Sequence, residues 1–532
     1  MTEAAAASED LARAAEVAAA ACLATDLAMG FPFEHGLRAT LMAMRLAELL
    51  EVDRATAAET YYVSLLTYAG CTADLSVEVE LFGGSLTEHV TPVHFAAPPA
   101  RVRGVLRALP PPDVSSLRRS YEVVRRLPKA IRASKPHFTA FCEVAEMLAV
   151  RLGLTASLAG TFRLLTDRWD GQGPLKRATG DAIPLALRIS HVARDVAFHQ
   201  TLGGNDQAVA TVGQRAGGAF DPEVAKRFVA HAPEILAIGE EGGSVWEATL
   251  AAEPDPQVSL HGAQIDRALA ALGSFADLVS PYQSGHSAGV AALAGAAAER
   301  CGLASVDVVA VRRAGLVHDV GRVAVDPRIW LQAGALTADD REQVRLHAYH
   351  AERVCASGDL LAPLGSIASW HHERLDGSGY HRGLTAASFP LVGRILATAD
   401  GFHAMTEPRP HRDALTVEAA AVELSGEANR GQHDPDVVTA VLEVVGQPPP
   451  RLERPAGLTE REAEVVGLLA RGLLTKQLAR ELGISVKTAD RHIQHAYRKM
   501  DVSSRAAATL FAVEYGLVAW GELPIPPATA PR

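Results

Sequence analysis

The sequence predicts an all-α protein made of several helical domains, and three observations support this prediction. The chain has 532 residues, more than the roughly 100–200 residues that one domain usually holds. Alanine is abundant, whereas aromatic residues make up only 5% of the chain, and such a composition favours helices over sheets. Stretches rich in proline and glycine interrupt the helical patterns. We therefore expect helical bundles in series, with a small four-helix domain at the C-terminal end.

Composition and charge narrow the classes of function. Hydrophobic residues make up 48% and charged residues 21%, and the net charge is −11 at pH 7. The five dispersed cysteines argue against a disulfide framework and favour a reducing compartment. The alanine-rich stretch 14–24 follows acidic residues and is too short to span a bilayer. We therefore expect a cytoplasmic protein without a membrane partner, and DNA binding would require a local cluster of positive charge.

Two stretches have the composition of linkers. Residues 239–256 combine glycine, glutamate and proline, and residues 446–455 are rich in proline, which cannot continue a helix. The last residues are rich in proline and alanine and are expected to be disordered. The predicted divisions are a helical domain over 1–238, a linker and lead-in helix over 239–279, a second helical domain over 280–446, a proline-rich linker over 447–456, a C-terminal domain over 457–520 and a tail over 521–532.

The first two predicted domains share an internal repeat. Residues 183–189 read Ile-Pro-Leu-Ala-Leu-Arg-Ile, and residues 389–395 read Phe-Pro-Leu-Val-Gly-Arg-Ile. Other matching segments keep the same order in both domains, and this shared order argues against a chance match. The further matching pairs are His35 with His286, 168–171 with 374–377, and 220–222 with 433–435. The chain therefore contains two copies of one plan, here called the first copy and the second copy.

Residues 457–518 have the pattern of four short helices. Thr459 can cap the first of them, and Glu462 stands where it completes a capping box. A glycine-containing turn ends at Ser485, which can cap the third helix. The later helices are expected over 475–482, over 486–500 and from about 503 to before 516. A helix, a tight turn and a second helix form the geometry that lays one helix in the major groove of DNA.

The third of these helices carries the positive charge that DNA binding needs. Lys487 and Arg491 lie four residues apart, so they share one exposed face. Such a pair suits contacts with phosphates and base edges. An alternative interpretation is a small helical bundle that only packs on the rest of the chain. The residues expected to contact DNA are Lys487, Thr488, Arg491, His492 and Lys499.

This stretch resembles the LuxR-type helix-turn-helix. The resemblance is carried by 458–462 (Leu-Thr-Glu-Arg-Glu), 469–472 (Leu-Ala-Arg-Gly), 484–485 (Ile-Ser), 504–506 (Ser-Arg-Ala) and 516–518 (Gly-Leu-Val). Thr475 and Ala489 depart from the usual asparagine and valine. The resemblance implies a homodimer that binds a pair of half-sites on DNA, with the fourth helix at the dimer contact.

In the second copy, five histidines and two aspartates fall at inward-facing positions of predicted helices. Burying so many polar groups is costly unless something pairs them, and a shared metal site is the simplest common explanation. Nitrogen and carboxylate ligands without thiolate suit iron, manganese, zinc or nickel. The candidate ligands are His286, His318, Asp319, His347, His371, His372 and Asp400.

The spacing of these ligands favours two divalent metal ions. His318 and Asp319 are neighbours in the chain, as are His371 and His372. Asp319 is placed to bridge two ions. Two ions a few ångströms apart can activate a water molecule and neutralise the charge of a phosphoester.

From about residue 280 to 445 the chain resembles the HD-GYP branch of the HD-domain phosphohydrolases. His318-Asp319 corresponds to the HD pair, and residues 371–380 (His-His-Glu-Arg-Leu-Asp-Gly-Ser-Gly-Tyr) correspond to the second signature. Members of this family hydrolyse cyclic di-GMP at a di- or trinuclear metal centre. The resemblance implies the same seven ligands, catalytic roles for Asp319 and Arg322, and substrate contacts by Tyr380, Arg409 and Arg412.

Four residues of the second copy depart from the family pattern. His381 replaces the proline of the GYP motif, and Arg322 replaces the lysine that usually follows the HD pair. His403 replaces a usual aspartate. Tyr282 stands where a carboxylate ligand of a third metal would be. We therefore expect two metals rather than three.

The first copy has lost most of the candidate ligands. His35 survives, but Thr67 and Tyr68 replace the HD pair, and Leu-Thr-Asp at 165–167 replaces His-His-Glu. Arg194 replaces the last aspartate, and a cation at that position would repel a metal. The first copy could therefore be a scaffold, a dimerisation surface or a ligand pocket, and a plain scaffold is the simplest interpretation.

The sequence as a whole indicates a transcription regulator that binds DNA through its LuxR-type domain. A metal-binding domain upstream would control it and would hydrolyse a cyclic dinucleotide or another phosphoester. One alternative is a sensor that binds a nucleotide or metal without turnover. Another is a phosphodiesterase that the helix-turn-helix merely tethers to DNA. No acidic pocket of the receiver type is evident in the sequence, so phosphorelay control is not supported.

Overall fold

A computed structural model describes residues 11–72, 79–83, 95–112, 114–239, 242–448, 455–515 and 517–518. Most of the predicted linker 447–456 and the whole predicted tail 521–532 lie outside the described residues. The described part of the chain is mostly helical, as the sequence predicts. Its helices are all too short or too polar to cross a lipid bilayer.

The helices are, in chain order, α1 (Ala14–Met29), α2 (His35–Leu49), α3 (Arg54–Leu65), α4 (Pro98–Ala108), α5 (Ser116–Arg151), α6 (Ala156–Thr161), α7 (Leu185–Arg215), α8 (Pro222–Ala230), α9 (Ala232–Leu236), α10 (Val245–Ala251), α11 (Ala263–Asp277), α12 (His286–Arg300), α13 (Ser305–Val317), α14 (Pro327–Trp330), α15 (Ala338–Val354), α16 (Leu361–Ala368), α17 (Leu391–Met405), α18 (Val417–Asn429), α19 (Pro435–Val444), α20 (Glu460–Ala470), α21 (Thr475–Glu481), α22 (Val486–Lys499) and α23 (Arg505–Glu514). Short 3-10 segments include Pro281–Gln283 and Val320–Ala324. Two strands, β1 (Leu11–Arg13) and β2 (Ser259–His261), pair antiparallel.

The chain divides into two compact units. The first unit holds residues 1–285 and 319–365, and the second holds 286–318 and 366–532. The second copy of the repeat is therefore shared between the units, because residues 319–365 belong to the first. Each unit has its own buried core.

In the first unit, α2 and α7 pack together around a core of aliphatic and aromatic side chains. Met42, Leu46, Val192 and Val196 are almost fully buried there. Helix α7 bends at Gly204, whose φ of 80° is in the left-handed region that glycine adopts readily. The bend allows the second half of α7 to pack on the same core rather than run on into solvent.

The stretch 239–279 is predicted to be a linker and a lead-in helix, and α11 (Ala263–Asp277) lies where that helix is expected. Its described residues form α10, β2 and α11, and Trp246 is buried within the first unit. Glu253 accepts hydrogen bonds from the guanidinium group of Arg13, which lies on the paired strand β1. The described residues of this stretch are therefore part of a packed unit.

In the second unit, α12, α13, α17, α18 and α19 surround a second core. Val290, Val311, Ile395 and Leu424 have no exposed surface. Gly315 of α13 permits a close approach to α12, because a Cβ atom there would lie 2.8 Å from the Cα atom of Ala291. This close packing holds the ends of α12 and α13 beside α17.

Each copy of the repeat contains an ion pair between an arginine and the aspartate that caps a following helix. In the first copy, Nη1 of Arg188 lies 2.6 Å from Oδ2 of Asp221, which caps α8. In the second copy, Nη1 of Arg394 lies 3.0 Å from Oδ2 of Asp434, which caps α19. The equivalent positions predicted from the repeat therefore make equivalent contacts, and this supports the interpretation that the two copies share one fold.

The C-terminal helices confirm the predicted caps. Thr459 and Glu462 form the capping box of α20, and the hydroxyl of Ser485 accepts a hydrogen bond from the backbone N–H of Thr488 at the start of α22. Helices α20 and α21 pack on α22 through Leu478 and Ile493, which are buried. Helix α22 is thereby fixed against the rest of this module along one face and exposed along the other.

Candidate metal centre and DNA-binding surface

Three candidate ligands meet inside the second unit. His286 is the first residue of α12, His318 follows the last residue of α13, and Asp400 lies within α17. Oδ1 of Asp400 lies 3.2 Å from Nε2 of His286 and 3.6 Å from Nε2 of His318. Such spacing suits a shared cation, because metal–ligand bonds of about 2 Å bring donor atoms to within about 3–4 Å of one another.

His371 and His372 lie beside this group. The ring centroids of His318 and His371 are 4.8 Å apart, and Nδ1 of His372 lies 3.8 Å from Oδ2 of Asp400. The ring of Tyr380 packs on His372 with a centroid distance of 4.6 Å. His371 is fully buried, whereas the side chain of His372 is 19% exposed. His372 and Tyr380 therefore mark the side of the group that solvent can reach.

Backbone carbonyl groups fix the orientation of several histidine rings. Nδ1 of His318 lies 2.8 Å from the carbonyl oxygen of Gly315, and Nδ1 of His371 lies 2.6 Å from that of Ala368. His347 makes the same contact with the residue three positions earlier. Because Nδ1 donates its proton to a carbonyl, Nε2 keeps the lone pair that a metal requires. These contacts favour the tautomer that is protonated at Nδ1, in which Nε2 can bind a metal.

The other candidate ligands, Asp319 and His347, lie in the first unit. Oδ1 of Asp319 lies 3.4 Å from Nε2 of His347, and Oδ2 lies 2.8 Å from Nε of Arg322. The guanidinium group of Arg322 in turn lies over the ring of Trp330. Asp319 follows His318 directly in the chain. One peptide bond therefore joins the two groups of candidate ligands.

The charge state of Asp400 fits a metal site. Burial alone would raise its pKa, but the imidazole groups of His286 and His318 lower that pKa well below its usual range. An ionised carboxylate and neutral imidazoles are the forms that bind a metal. The donor set consists of nitrogen and oxygen atoms without thiolate, so it fits a divalent first-row ion.

The sequence analysis missed Glu407, which contacts His286 directly. Oε2 of Glu407 lies 2.8 Å from Nδ1 of His286 and 2.9 Å from Nη2 of Arg409. Oε1 lies 3.3 Å from Nδ1 of His403. Burial alone would raise the pKa of Glu407. The hydrogen bonds to His286 and His403 and the charge of Arg409 outweigh burial, so the pKa of Glu407 lies well below its usual range. The sequence gives little indication of this contact, because Glu407 is marked only by its position two residues before Arg409 and lies far along the chain from His286.

The two arginines expected to contact substrate phosphates have protein partners in the structure. Arg409 pairs with Glu407. The guanidinium group of Arg412 donates hydrogen bonds to the carbonyl oxygens of Ala404 and Met405, and also to that of Glu407. Arg412 therefore supports the loop that follows α17. Arg409 is linked to the candidate ligand His286 through its pairing with Glu407.

Glu373 holds the loop that carries Tyr380. Its carboxylate is fully buried and accepts hydrogen bonds of 2.7 Å from the backbone N–H groups of Arg382 and Leu384. Gly379 is needed inside this loop, because a Cβ atom there would lie 2.4 Å from a backbone nitrogen. The glutamate of the second signature thus has a structural role, distinct from the two histidines that precede it.

The first copy has a different chemistry at the equivalent positions. Arg194, which replaces Asp400, lies with its guanidinium carbon 3.9 Å from the ring centroid of Phe95 and 5.8 Å from that of Tyr68. His35 is buried, and burial lowers its pKa to about 4. Aromatic rings and a cation therefore occupy the places of the ligands, as the loss of those ligands from the sequence predicts.

The residues expected to contact DNA lie mainly on the exposed face of α22. Lys487, Thr488 and Arg491 are exposed, and His492 is partly exposed. Lys499 differs from them: its ammonium group lies 2.6 Å from Oε2 of Glu462 and donates to the carbonyl oxygen of Gly457. The structure thus separates Lys499 from the other basic residues of the helix.

Two domain families match this chain at the places where the site and the exposed helix lie. Residues 271–437 match the HD domain, and residues 456–512 match the bacterial regulatory proteins of the luxR family. The chain joins an HD domain to a LuxR-type domain. The HD match covers the second copy of the repeat and begins a little before the predicted boundary at 280. A second HD domain in the first copy stays a prediction.

Relatives of the HD domain include phosphodiesterases of cyclic dinucleotides. The 3′3′-cGAMP-specific phosphodiesterase 3 of Vibrio cholerae is 27% identical over 75% of this chain and 87% of its own length. A cyclic di-GMP phosphodiesterase of Thermotoga maritima is 36% identical over 30% of this chain and 44% of its own length. A cyclic di-GMP phosphodiesterase response regulator of Xanthomonas campestris is 38% identical over 28% of this chain and 40% of its own length. The chain therefore spans less than half of the last two relatives.

A solved structure shares the fold of most of the chain. The crystal structure of a cyclic GMP-AMP-specific phosphodiesterase of Vibrio cholerae covers 82% of this chain and 98% of its own chain, with a TM-score of 0.57 and 22% identity. The part of this chain that the crystal structure matches is longer than the HD domain at 271–437. The similarity in fold therefore extends into the region of the first copy.

Proposed function

We propose that the HD domain is a metal-dependent phosphodiesterase that hydrolyses a cyclic dinucleotide and that its state controls DNA binding by the LuxR-type domain. The observation that carries this proposal is the group formed by His286, His318 and Asp400, in which buried nitrogen and oxygen donors face one another. The substrate class is supported by the relatives, which are named for cyclic di-GMP or 3′3′-cGAMP.

We propose that two divalent ions bind the HD domain and that the seven candidate ligands would hold them. Iron, manganese, zinc and nickel all suit this donor set. When bound, such ions supply an activated water and neutralise charge on the phosphoester. The protein groups do the positioning: the backbone carbonyl groups orient His318 and His371, and Arg322 holds the carboxylate of Asp319 by a contact of 2.8 Å.

The substrate would enter from the side of His372 and Tyr380. The ring of Tyr380 already packs on an imidazole at 4.6 Å, and an aromatic face of this kind can stack on a nucleobase. Arg322 and Arg409 are the basic residues that we propose for phosphate contacts. Arg412 was expected to join them, but its hydrogen bonds to four backbone carbonyl groups favour a supporting role.

We propose that the LuxR-type domain binds DNA as a homodimer, with Lys487, Thr488, Arg491 and His492 on the groove side. A two-fold dimer would match a pair of half-sites. Because substrate or metal can favour one dimer geometry over another, occupancy of the HD domain would alter DNA affinity. A regulator of this kind would act in the cytoplasm.

We further propose that the first copy, within residues 1–238, is an HD-type scaffold without a metal. The equivalent ion pairs Arg188–Asp221 and Arg394–Asp434 support a common fold. The cation of Arg194 at the position of Asp400 supports the absence of a metal. The described residues of 239–279 would belong to this scaffold rather than to a linker, while 280–446 and 457–520 remain the HD and LuxR-type domains.

The experiment is a turnover assay of the full chain on cyclic di-GMP and 3′3′-cGAMP, with bound metals quantified in the same preparation. Asp319→Ala should abolish turnover, and the exposed Asp307→Asn on α13 is the matched control. Metal-dependent turnover that disappears only with Asp319→Ala would support the proposal. Bound metal without turnover of either substrate would contradict the proposed phosphodiesterase activity. It would favour the alternative in which the domain is a sensor that binds a nucleotide or metal without turnover.

A third possibility, an enzyme that is merely tethered to DNA, has its own test. Footprinting of the full chain on genomic fragments should reveal discrete protected sites if the chain regulates transcription. A tethered enzyme would protect no discrete site, because its DNA contacts would be to phosphates alone.

A further inference from the structure

His286 differs from the other histidines of the centre in its place on a helix. His318, His347 and His371 each contact the carbonyl group three residues earlier with Nδ1. His286 is the first residue of α12, and Gly285 before it has a φ of 85°. The residue three positions before His286 is Gln283, which lies in the 3-10 segment Pro281–Gln283 and not in α12, so the preceding turn of the same helix that orients the other rings is not available to His286.

Glu407 supplies an acceptor at this position. Its Oε2 lies 2.8 Å from Nδ1 of His286, on the side of the ring opposite to the Nε2 atom that lies 3.2 Å from Asp400. A carboxylate that accepts the Nδ1 proton fixes the tautomer and raises the basicity of Nε2. Glu407 can therefore do for His286 what a backbone carbonyl group does for the other rings.

The surroundings of Glu407 favour this role over that of a ligand to a third ion. Oε2 also lies 2.9 Å from Nη2 of Arg409, and Oε1 lies 3.3 Å from Nδ1 of His403. Both carboxylate oxygens thus face N–H donors. A metal ion at this point would be repelled by the guanidinium group of Arg409, which is always charged.

Two residues near this site depart from the pattern of the family that the sequence resembles, and both departures fit a centre without a third metal. Tyr282 stands where a third-metal carboxylate would be, and His403 stands where an aspartate is usual. Tyr282 is 38% exposed, and its phenol group cannot supply a carboxylate to His286. The carboxylate that contacts His286 comes from the loop after α17.

We propose that Glu407 is a positioning residue that orients His286 for a two-metal centre and that Arg409 holds Glu407 in place. The inference rests on the proposed function insofar as it requires His286 to bind a metal, but it does not require turnover. It assigns Arg409 a role through Glu407 that is separate from any contact with substrate.

The test measures metal binding to the full chain, using manganese and zinc as probes, with the number of ions per chain determined in parallel. Glu407→Ala should weaken the affinity for the first ion by about 10–100-fold, the usual effect of removing the partner of a ligating histidine. Glu407→Gln keeps an oxygen acceptor for Nδ1 and should recover most of the affinity. Glu423→Ala, in an exposed ion pair with Arg430 on α18, is the control and should bind as the wild type does.

The number of metal ions bound per chain distinguishes a positioning role of Glu407 from a role as a ligand of a third ion. We expect two ions in the wild type and two in His403→Ala. Three ions in the wild type that fall to two in both His403→Ala and Glu407→Ala would make Glu407 a ligand and overturn the proposal. Unchanged affinity in Glu407→Ala would overturn it as well. Metal binding without turnover would contradict only the proposed phosphodiesterase, whereas a wild-type chain that binds no divalent ion would overturn both.

Discussion

The ammonium group of Lys499 lies 2.6 Å from Oε2 of Glu462, so the last basic residue of α22 is engaged within the LuxR-type domain. It also donates a hydrogen bond of 2.8 Å to the carbonyl oxygen of Gly457. Glu462 in turn accepts a hydrogen bond from the backbone N–H of Thr459 and completes the capping box of α20. One lysine therefore links the helix proposed to read DNA with the start of the first helix of the domain.

We predict that Lys499→Gln destabilises the domain and leaves the salt dependence of DNA binding unchanged. Lys487→Ala and Arg491→Ala should each lower the salt slope by about 1, as expected for the loss of one phosphate contact. Titrations of labelled DNA at several salt concentrations measure the slope. A slope lowered equally by Lys499→Gln would show that Lys499 contacts DNA instead.

The stability of α20 should depend on pH through Glu462. The Lys499 ammonium group and the Thr459 backbone outweigh burial and lower the pKa of Glu462 to about 2. A carboxyl group whose pKa is lower in the folded state stabilises that state above its unfolded pKa, and the contribution is lost as the pH falls towards the folded value.

The stabilising effect of Glu462 should therefore be complete at pH 6 and decline between about pH 4.5 and 2. Hydrogen exchange of the α20 amides in the wild type and in Glu462→Gln measures this difference. The two proteins should differ at pH 6 and converge in acid. A difference that stays constant down to pH 3 would contradict the role of the carboxylate.

Glu373 and its counterpart Asp167 allow the same substitution to be tested in both copies. Asp167 accepts hydrogen bonds from the backbone N–H groups of Arg177 and Ala178, much as Glu373 accepts two from its own loop. Glu373→Gln replaces one acceptor oxygen by an amide NH2 group and leaves a buried N–H group without its partner. The cost should be about 1–3 kcal/mol.

Hydrogen exchange over residues 373–386 should show that cost, and turnover should fall because Tyr380 lies in the same loop. Asp167→Asn should loosen the equivalent loop of the first copy and leave turnover unchanged. Equal loss of turnover in the two variants would contradict the assignment of the chemistry to the second copy.

Arg412→Lys should destabilise the loop after α17 even without nucleotide. A guanidinium group can donate to several carbonyl oxygens at once, whereas an ammonium group is a point donor without that planar fork. Thermal unfolding of the ligand-free protein should occur at a lower temperature in the variant. An unchanged unfolding temperature combined with a raised KM would favour the substrate contact predicted from the resemblance.

The helices that carry the candidate site could be predicted from the sequence because their signals are local. The caps at Thr459 and Ser485 are confirmed, and Arg188 and Arg394, which the repeat pairs, each form an ion pair with a cap residue. Local signals depend on residues within one turn of each other, so they can be read without knowledge of the tertiary structure.

The features that escaped prediction depend on contacts between distant segments. The stretch 239–279 has a linker composition, but pairing of β2 with β1 and the ion pair of Arg13 with Glu253 place its described residues within a core. Glu407 contacts His286 from far along the chain, and no periodicity joins them. Lys499 has the spacing of a DNA contact, but Glu462 on another helix binds it.

The Arg188–Asp221 and Arg394–Asp434 pairs have a consequence for how this protein could be altered. Each of these ion pairs is formed by groups that are not candidate metal ligands, so on the proposed function a ligand position can change without removing the ion pair. The first copy already demonstrates such a replacement, with Arg194 accommodated by Phe95. On the proposal that the first copy is an HD-type scaffold without a metal, each copy would serve as a template for redesigning the ligand positions of the other.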